Sequence, residues 1–509
     1  MPSSLQITSP SFAFDSPRIL GLKILRHRHF LCSSSSSPIE PPDDGIHEDP
    51  NCTRKRIDSN VILRERNVNG TYKRYTMDNN SYLRTFLDKQ NFESKVPRRF
   101  HLFGVELSWL PDSIKVFFLP AGFPGSVSDD YLEYMFLQFP TNITGWICHA
   151  LVTSSLLKAV GVGSFSGTTA AAASAAIMWV SKDGIGAIGR LIIGGRFGDL
   201  FDDDPKQWRM YADFIGSAGS IFDLTTQLYP TYFFPLASLG NLTKAVARGL
   251  KDPSFRVIQS HFAISGNLGE VAAKEEVWEV SAQLLGLSLG VWILATPGLS
   301  SSYPILTFTW FGMRLLHLWL RYQSLSVLKF DNINLKRARV LVSSHILDDT
   351  VPGCSDCNKS ESILSWQRFL KPRIDFGVSV EDMLDGEGKS VSMVKKLVEL
   401  YTKEKYILVV KKSQNSEFQA FVSFKVGATG ESVLRSVWQA YWLYHKTEIE
   451  SYSIEIEKLE KSLLALEDGF RDFIVQLESA GWDIKKINLK IPKGFLIEEL
   501  DESESDTCK

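Results

Sequence analysis

The sequence contains little cysteine and almost no net charge, and each scarcity excludes a class of protein. Its 509 residues include six cysteines, at positions 32, 52, 148, 354, 357 and 508, which are too few and too scattered for a disulfide-stabilised scaffold. Lysine and arginine number 56 against 58 acidic residues, so the formal net charge is -2. An electrostatic nucleic-acid binder normally carries a basic excess. No nucleic-acid partner is therefore expected.

Sequence motifs for catalysis and metal binding are also lacking. The chain contains no Ser/His/Asp set, P-loop or H-E-x-x-H pattern. Cys354 and Cys357 form a lone C-x-x-C, and a zinc site needs a second pair of ligands, so we interpret this spacing as incidental. We predict no catalytic residue, no metal site and no cofactor. The sequence identifies no residues for cofactor binding, so these are unknown.

The two N-terminal segments have the composition of a leader and a linker. Residues 1–37 are rich in serine and arginine and poor in acids, which predicts an organellar transit peptide; a disordered terminus is the alternative. Residues 38–96 are predicted to form a flexible acidic linker followed by a short β-hairpin. Its turn is expected at Asn69-Gly70, which lies between two β-favouring runs within Val61–Met77.

Residues 97–330 are predicted to form a helical core associated with a membrane. A bilayer-spanning helix needs roughly 20 mainly apolar residues. Four uncharged runs approach or exceed that length: Tyr134–Leu157, Ala159–Ser181, Leu224–Thr243 and Val280–Met313. The last is interrupted at Pro297-Gly298, which favours a helical hairpin. A soluble, tightly packed helical core is the alternative, because small residues serve both kinds of bundle.

One compact charged segment, Ser181–Asp213, separates these apolar runs. Asp204-Pro205 predicts a helix start, with the aspartate as N-cap and the proline at the first helical position. The helix would carry Lys206, Arg209 and Asp213 on one charged stripe. The three consecutive acids at 202–204 lack the alternating spacing of a calcium loop, so we attribute them to capping and solvation.

Two further patterns in the core have a functional and a structural interpretation. Gly184, Gly186 and Gly189 fit G-x-G-x-x-G, but the alanine-rich run before them favours a helix rather than the strand that a dinucleotide site requires. We therefore interpret the glycines as permitting a kink or close contact between helices. Glu270 and Lys274 are spaced for an i, i+4 ion pair, which would indicate a functional interior only within a membrane bundle.

The C-terminal part has the pattern of a small α/β module. Residues 331–365 are predicted to be a linker and residues 366–509 a module that makes protein contacts. Strands are expected at Lys405–Lys412, Phe418–Val426 and Ile484–Ile491, with a helix at Gly430–His445 between them. An amphipathic helix over residues 452–480 presents leucines and phenylalanines at alternating steps of four and three. We expect it to pack on the neighbouring sheet.

Five ordered motifs resemble those of one known family. The motifs are LPAGFPGSVSDDYLEY (Leu119–Tyr134), KAVGVG (Lys158–Gly163), WVSKDGIGAIGR (Trp179–Arg190), FDDDPKQWRMYAD (Phe201–Asp213) and HFAISGNLGEVAAKEE (His261–Glu276). Together they resemble the root UVB sensitive family, whose shared domain is also called the vitamin B6 photo-protection and homoeostasis domain. The likeness covers about residues 98–322 and continues more weakly through the C-terminal part. With the serine-rich leader, it indicates a plastid-directed plant member.

The resemblance implies a role in seedling development and ultraviolet-B tolerance, linked in some members to vitamin B6 balance and auxin transport. It implies no established catalytic residue. The motif positions that it makes candidate functional residues are Asp129, Asp130, Lys182, Asp183, Arg190, Lys206, Trp208, Arg209, Asp213, His261, Asn267 and Lys274. The chain departs from the family pattern after Asn267, where Leu-Gly-Glu replaces the usual x-Ala-Asp, and again at Glu276–Glu279.

The predicted fold class is mainly α, a membrane-associated helical bundle followed by a small α/β C-terminal domain. The predicted function is that of a non-enzymatic protein in or on a membrane of the chloroplast or another plastid. Its expected partners are the membrane, other proteins including family members, and a small anionic ligand. One alternative is a membrane transporter for a small anion such as a B6 vitamer, and another is a soluble cofactor-dependent enzyme.

Overall fold

A computed structural model describes the protein at residues 61–66, 72–77, 83–88, 111–160, 169–196, 198, 200–298, 302–365, 370–384, 391–412, 418–446, 455–492 and 494–498. The predicted transit peptide and acidic linker lie outside these residues. By contact density the chain divides into residues 1–61 and 62–509. Apart from Val61, everything described below belongs to the second unit.

A three-stranded sheet opens the described part of the chain. Its strands are β1 (Val61–Arg66), β2 (Tyr72–Met77) and β3 (Leu83–Asp88), in the order β1-β2-β3. Strands β2 and β3 are antiparallel. The two runs of the expected hairpin are thus neighbouring strands, while the Asn69-Gly70 turn lies outside the described residues. The third strand was not predicted from the sequence.

Six long helices form the bundle of the central region. They are α2 (Tyr131–Ala159), α3 (Thr169–Arg196), α5 (Pro205–Thr225), α6 (Phe233–Phe262), α7 (Leu268–Ala295) and α8 (Tyr303–Val327). The short helices α1 (Asp112–Phe118) and α4 (Leu200–Asp203) precede α2 and α5. The fold is mainly helical, as predicted. We call the end where α2, α5 and α7 begin the near end, and the opposite end the far end.

Glycines bring the helices into close contact. A Cβ atom on Gly286 of α7 would lie 2.7 Å from the carbonyl oxygen of Ile143 on α2. Gly186 and Gly189 of α3 lie inside the helix and face Asn241 and Leu242 of α6, where a Cβ would approach to 2.5 and 3.0 Å. The interpretation of these two glycines as helix-contact positions is confirmed, and a nucleotide loop is excluded because this stretch is continuous helix.

Two predicted helix boundaries are confirmed. Asp204 caps α5 by accepting a hydrogen bond from the amide of Gln207 at 3.1 Å, and Pro205 is the first helical residue. The long run Val280–Met313 forms two helices, α7 and α8, with residues 296–302 between them. Gly298 adopts a φ of 89°, which L-residues with side chains rarely adopt. The expected helical hairpin is replaced by a different packing, because α7 and α8 each pack mainly against α2.

The outward faces of α3, α7 and α8 are apolar. Phe308 is 79% exposed, Leu191 74% and Trp292 71%. Of the helices that the structure describes, α7 is the one that is long and apolar enough to cross a membrane by length and composition, with a mean hydropathy of 1.5. Membrane association itself is not established by this test.

The C-terminal domain places a mixed sheet against helices. Strand β6 (Phe418–Lys425) lies between β4 (Arg373–Phe376) and β5 (Tyr406–Lys412) and also pairs with β7 (Leu496–Ile497). Helices α13 (Gly430–Lys446) and α14 (Ile456–Ser479) share its hydrophobic core, with α14 packed against α13. The short helices α11 (Val380–Leu384) and α12 (Val391–Leu400) precede β5.

Two expectations for this part were wrong. Ile484–Ile491 is not a strand, because it forms a short 3-10 helix (Ile484–Lys486) and a single bridge from Ile487 to Ile333. Residues 331–365 are not an exposed linker, since they form α9 (Leu335–Asp348) and α10 (Cys354–Ser360). Lys336, Arg337 and Arg339 of α9 are buried, and the first two form ion pairs.

Candidate functional site

The polar residues of α5 lie on the face that points into the bundle. Arg209, Asp213 and Ser217 recur at steps of four and bond to other interior side chains, and Asp223 further along is buried. The outward face carries Phe214 and Ile221, which are 39% and 53% exposed. With a rise of 1.5 Å per residue, the polar face from Arg209 to Asp223 runs for about 21 Å along the bundle. The predicted charged stripe is therefore real, but it is internal.

Asp213 is the centre of an interior ion cluster. Its Oδ2 accepts from Nε of Arg321 at 2.6 Å, and its Oδ1 accepts from Nη1 of Arg209 at 3.3 Å. Both guanidiniums are at most 2% exposed. Arg321 also donates to the side-chain oxygen of Gln138 on α2. Two cations thus surround one carboxylate, so the cluster has an excess of positive charge.

Two further residues of α8 complete the cluster. Arg314 donates to Oγ of Ser217 at 2.6 Å and to the backbone oxygen of Asp213 at 2.9 Å. Nδ1 of His317 lies 2.9 Å from the carbonyl oxygen of Thr141, so that nitrogen carries a proton, because a carbonyl only accepts. Nε2 lies 3.4 Å from Oδ2 of Asp213 and can donate to it only when the ring is doubly protonated.

A second carboxyl, Glu275 of α7, lies in the same interior without a cationic partner. It is 3% exposed and accepts one hydrogen bond, from Nε2 of Gln259 on α6 at 2.8 Å. In the described part of the chain its Oε1 has no hydrogen-bond partner, and neither do the hydroxyls of Tyr131 and Tyr134 on α2. The bundle therefore contains several buried polar atoms that its own side chains do not satisfy.

Asp130 and His261 join α2 to the end of α6 at the near end. The carboxylate of Asp130 accepts from Nε2 of His261 at 3.0 Å, from Oγ of Ser128 at 2.5 Å and from the amide of Lys329 at 2.7 Å. Burial acts to raise the pKa of Asp130, but the hydrogen bonds and the charge of His261 outweigh it and hold this pKa below its ordinary value. Asp129, in contrast, is exposed.

A buried network connects the start of α5 to the C-terminal domain. Lys206 donates to Oε2 of Glu361 at 3.1 Å, and Arg337 of α9 donates to the same oxygen at 3.3 Å. Asp204 pairs with Lys336 at 2.6 Å. Asp204 is therefore a buried cap and ion-pair partner, and the attribution of this acid to solvation was wrong.

The two carboxyls of this network have opposite pKa shifts. Burial acts to raise the pKa of Glu361, but the charges of Arg337 and Lys206 outweigh it and lower the pKa to about 2. Burial dominates at Asp204 and raises its pKa, although the charge of Lys336 acts against it. Glu361 is therefore firmly ionised between its two cations.

The remaining sequence candidates lie apart from the ion cluster. Lys182 of α3 is buried, with its Nζ 4.3 Å from the centre of the Trp179 ring and 2.8 Å from Oδ1 of Asp183. Arg190 is exposed. Trp208 packs edge-on against Phe201 and Tyr211.

The motif around α7 holds the short helix α1. Lys274 donates to the carbonyl oxygen of Val116 at 2.6 Å, and Glu270 accepts from the amide of Ala121 at 2.6 Å. The expected Glu270–Lys274 ion pair is replaced by these contacts, because the backbone of the α1 region offers a carbonyl and an amide. Both side-chain polar atoms of Asn267 are buried without a partner among the described residues.

The structure thus pairs Arg209 with Asp213, Asp130 with His261 and Lys182 with Asp183, at three separate places in the fold. Sequence reasoning missed Gln138, Glu275, Arg314, His317 and Arg321. The α8 residues carried a usable signal, because positions 314, 317 and 321 are spaced by three and four within an otherwise apolar helix. Glu275 carried no such signal in the sequence, because its lack of a cationic partner depends on which helices surround it.

Two groups of potential metal or redox ligands are engaged in ordinary hydrogen bonding and packing. His345, Asp349 and Asp472 place ligand atoms within 4.8 Å of one another. The indole Nε1 of Trp438 lies 3.3 Å from Nδ1 of His345 and can only donate, so Nδ1 holds the lone pair and Nε2 the proton directed at Asp472. Burial raises the pKa of Cys354 and raises that of Cys357 to about 12, so both remain thiols and are poor ligands and nucleophiles.

Two cavities among the described residues lie away from the ion cluster. One of about 320 Å³ in the C-terminal domain is lined by α11, α12 and β5, and includes Met383, Leu397 and Val409. An open groove of about 440 Å³ lies between Ile221 of α5 and the start of α8, at Tyr303 and Phe311. The charged side chains of the interior are therefore in contact with one another rather than lining either cavity.

Comparison with known proteins gives two adjoining family matches. The model described as "Vitamin B6 photo-protection and homoeostasis domain" matches residues 105–349, and that described as "Root UVB sensitive protein, C-terminal" matches residues 350–492. The boundary between them falls directly after α9. Together they include the whole bundle and most of the C-terminal domain.

Similar curated proteins come from a plant and from a social amoeba. Protein root UVB sensitive 5 of Arabidopsis thaliana is 58% identical, over 93% of this chain and 94% of the relative. Protein root UVB sensitive 2, chloroplastic, from the same plant is 27% identical over 72% and 80%. RUS family member 1 of Dictyostelium discoideum is 28% identical over 65% and 58%. No solved structure matches the chain.

Proposed function

Because the chain belongs to the root UVB sensitive family, we propose that it is a non-enzymatic protein of a plastid membrane. In this proposal the six-helix bundle is embedded in the bilayer and the C-terminal domain lies in the aqueous phase. The bundle would serve seedling development, ultraviolet-B tolerance or vitamin B6 balance by binding protein partners, including other family members, or a small anionic metabolite.

The observation that carries the proposal is that the bundle buries several charged side chains while it exposes large apolar ones. Charged side chains such as Arg209 and Arg321 are buried, while Phe308, Leu191 and Trp292 are among the most exposed. A soluble protein rarely exposes large continuous apolar surfaces, and an intramembrane charge normally faces the bundle interior. The mean hydropathy of α5 is low for the same reason. Its charged side chains enter the average although they face the interior of the bundle.

Plastid location is supported by two observations. The sequence begins with the serine- and arginine-rich segment predicted to be a transit peptide, and one relative is named chloroplastic. Import of the full chain into isolated plastids, followed by alkaline carbonate washing of the membranes, tests location and insertion together. We expect the chain to stay in the membrane pellet; its release into the supernatant contradicts integral insertion.

A matched pair of variants makes this test specific for the bundle surface. Phe308→Arg places a cation on the apolar face of α8, and an arginine in the hydrocarbon costs up to about 3 kcal/mol on insertion scales, with the largest cost at the bilayer centre. Leu464→Arg makes the same change on α14, where Leu464 is 66% exposed. Only Phe308→Arg should increase the released fraction.

A second candidate function, transport of a small anion, is favoured by the cationic interior. Arg209, Arg314 and Arg321 surround a single carboxylate, Asp213, and Nε of Arg209 has no hydrogen-bond partner in the described part of the chain. Arginine is well suited to phosphate groups because its planar fork donates two parallel hydrogen bonds.

Vesicles containing the purified chain test this candidate with a phosphorylated B6 vitamer. Uptake should be lost with Arg209→Gln and kept with Arg190→Gln, since Arg190 is exposed on α3. Absence of uptake of any B6 vitamer by the unaltered protein contradicts this candidate and leaves the membrane proposal standing.

A further inference from the structure

Glu275 differs from every other interior carboxyl described above in having no cation beside it. Asp213 contacts two guanidiniums, and Asp223 pairs with Lys244. Across the described residues, no lysine or arginine nitrogen lies within the 4.0 Å of an ion pair from Glu275, whose hydrogen-bond partner there is the Gln259 amide. Transfer of an unpaired carboxylate into such an interior is costly, and the group avoids that cost by taking up a proton.

The hydroxyls near Glu275 do not stabilise its ionised form. Those of Tyr131 and Tyr134 are fully buried without partners among the described residues, and both lie within electrostatic range of the Glu275 carboxyl. Neither is hydrogen-bonded to Oε1, which has no partner there either. A carboxylate that accepts few hydrogen bonds in a buried site is favoured in its neutral, protonated form.

Charged groups approach Glu275 from several elements at longer range. They are Glu279 on α7, Lys251 on α6 and Arg209 on α5, and Arg321 of α8 in turn acts on Lys251 and Tyr134. The like charge of Glu279 disfavours ionisation of Glu275. The charges of Lys251 and Arg209 favour ionisation of Glu275, but Arg209 is already paired with Asp213.

We propose that Glu275 is an exchangeable proton-binding site inside the bundle, protonated at neutral pH and ionised at higher pH. A hydronium ion supplies the proton, an O–H bond forms at Oε1, and water is released; the reverse step returns the proton.

This site goes beyond the proposed function, because it requires only the packed bundle. A soluble or a membrane-embedded bundle would bind the proton equally. Failure of carbonate-resistant insertion therefore leaves the proton site intact, and absence of the proton site leaves the membrane proposal intact.

Infrared spectroscopy of the purified full chain tests the site directly. A protonated carboxyl gives a carbonyl stretching band that an ionised carboxylate lacks. We expect this band at about pH 7 in the unaltered protein, its loss by about pH 10, and its absence at both values from Glu275→Gln. The glutamine keeps an oxygen to accept from Gln259, so the variant should fold.

Glu279→Gln is the matched control, one helical turn further along α7. It should keep the band at neutral pH. A neutral-pH band that Glu275→Gln leaves undiminished, or no such band in the unaltered protein, overturns the assignment. A band that depends on Glu275 but persists unchanged at about pH 10 contradicts the proposed release of the proton at higher pH.

Thermal melting gives a second, independent measurement. Folding of the unaltered chain must bring a proton to Glu275 at pH values where the unfolded carboxyl is ionised, whereas the glutamine variant avoids this step. Glu275→Gln should therefore melt at a higher temperature than the unaltered protein, by a margin that grows from about pH 6 to about pH 9. A margin that does not change with pH contradicts the proposal.

Discussion

Nε of Arg321 on α8 donates to Oδ2 of Asp213 on α5 at 2.6 Å, across 108 positions of sequence. Both side chains lie inside the bundle, where Arg209 and His317 approach the same carboxylate. Removal of one member of such a set leaves the others charged and unpaired. The consequences can be measured.

Asp213→Asn should be strongly destabilising. It leaves the buried cations Arg209 and Arg321 without their carboxylate, and breaking a buried ion pair typically costs about 3–5 kcal/mol. Denaturant unfolding of the purified chain measures the loss. Asp202→Asn is the control, because Asp202 pairs with Lys490 at the surface and should cost about 1 kcal/mol or less. Equal losses in the two variants would show that the interior cluster contributes no special stability.

Glu361→Gln should be destabilising at neutral pH and much less so in acid. The pKa of Glu361 is lowered to about 2 in the folded chain, against 4.5 for an unperturbed carboxyl. Its stabilisation is therefore present above about pH 4.5 and lost as the pH falls through about 2. The difference in unfolding free energy between the variant and the unaltered protein should be about 3 kcal/mol at neutral pH and should shrink between about pH 5 and pH 2. A difference that is constant over this range contradicts the ion-pair account.

Lys206→Gln and Glu361→Gln should not be additive. Lys206→Gln leaves Glu361 paired with Arg337 alone, whereas Glu361→Gln leaves both buried cations without their carboxylate. In the double variant Arg337 is the one member of the three that keeps its charge. The double variant should therefore be more stable than the sum of the single losses predicts, by about 0.5–3 kcal/mol. The same cycle with Lys490→Gln in place of Lys206→Gln should be additive, because Lys490 pairs with Asp202 instead.

Gly286→Ala should destabilise the α2–α7 contact. The added Cβ would lie 2.7 Å from both the carbonyl oxygen of Ile143 and the Cβ of Trp146, and overpacking of this kind costs about 1–3 kcal/mol. Gly312→Ala on α8 is the control, since nothing lies within 4 Å of its Cβ position. That variant should be neutral or stabilised by up to about 1 kcal/mol through helix propensity. Melting temperatures compare the two, and a loss at Gly312 as large as at Gly286 would show that the close contact is not the cause.

Local features were predictable because their causes lie within a few residues. The Asp204 cap and Pro205 at the first position define the start of α5, and the Pro297-Gly298 break separates α7 from α8. The five ordered motifs sufficed to identify the family. The strands β5 and β6 and the amphipathic α14 also follow from alternation and periodicity.

Other features depended on partners distant in sequence. The linker prediction was wrong because Arg337 and Lys336 of α9 are buried against Glu361 and Asp204, and burial of this kind is not visible in the sequence. The strand expected at Ile484–Ile491 failed because a single bridge to Ile333 replaces a full partner strand.

Helical periodicity alone predicts which side of α5 is polar, because a period of 3.6 residues places Arg209 and Asp213 on one face whatever surrounds the helix. Packing between the helices turns this face inward and brings Asp213 to Arg321, while Glu275 meets no cation among the described residues. The reason is that periodicity relates residues within one helix, whereas ion pairing and burial depend on which helices pack together, and that is decided by long-range contacts.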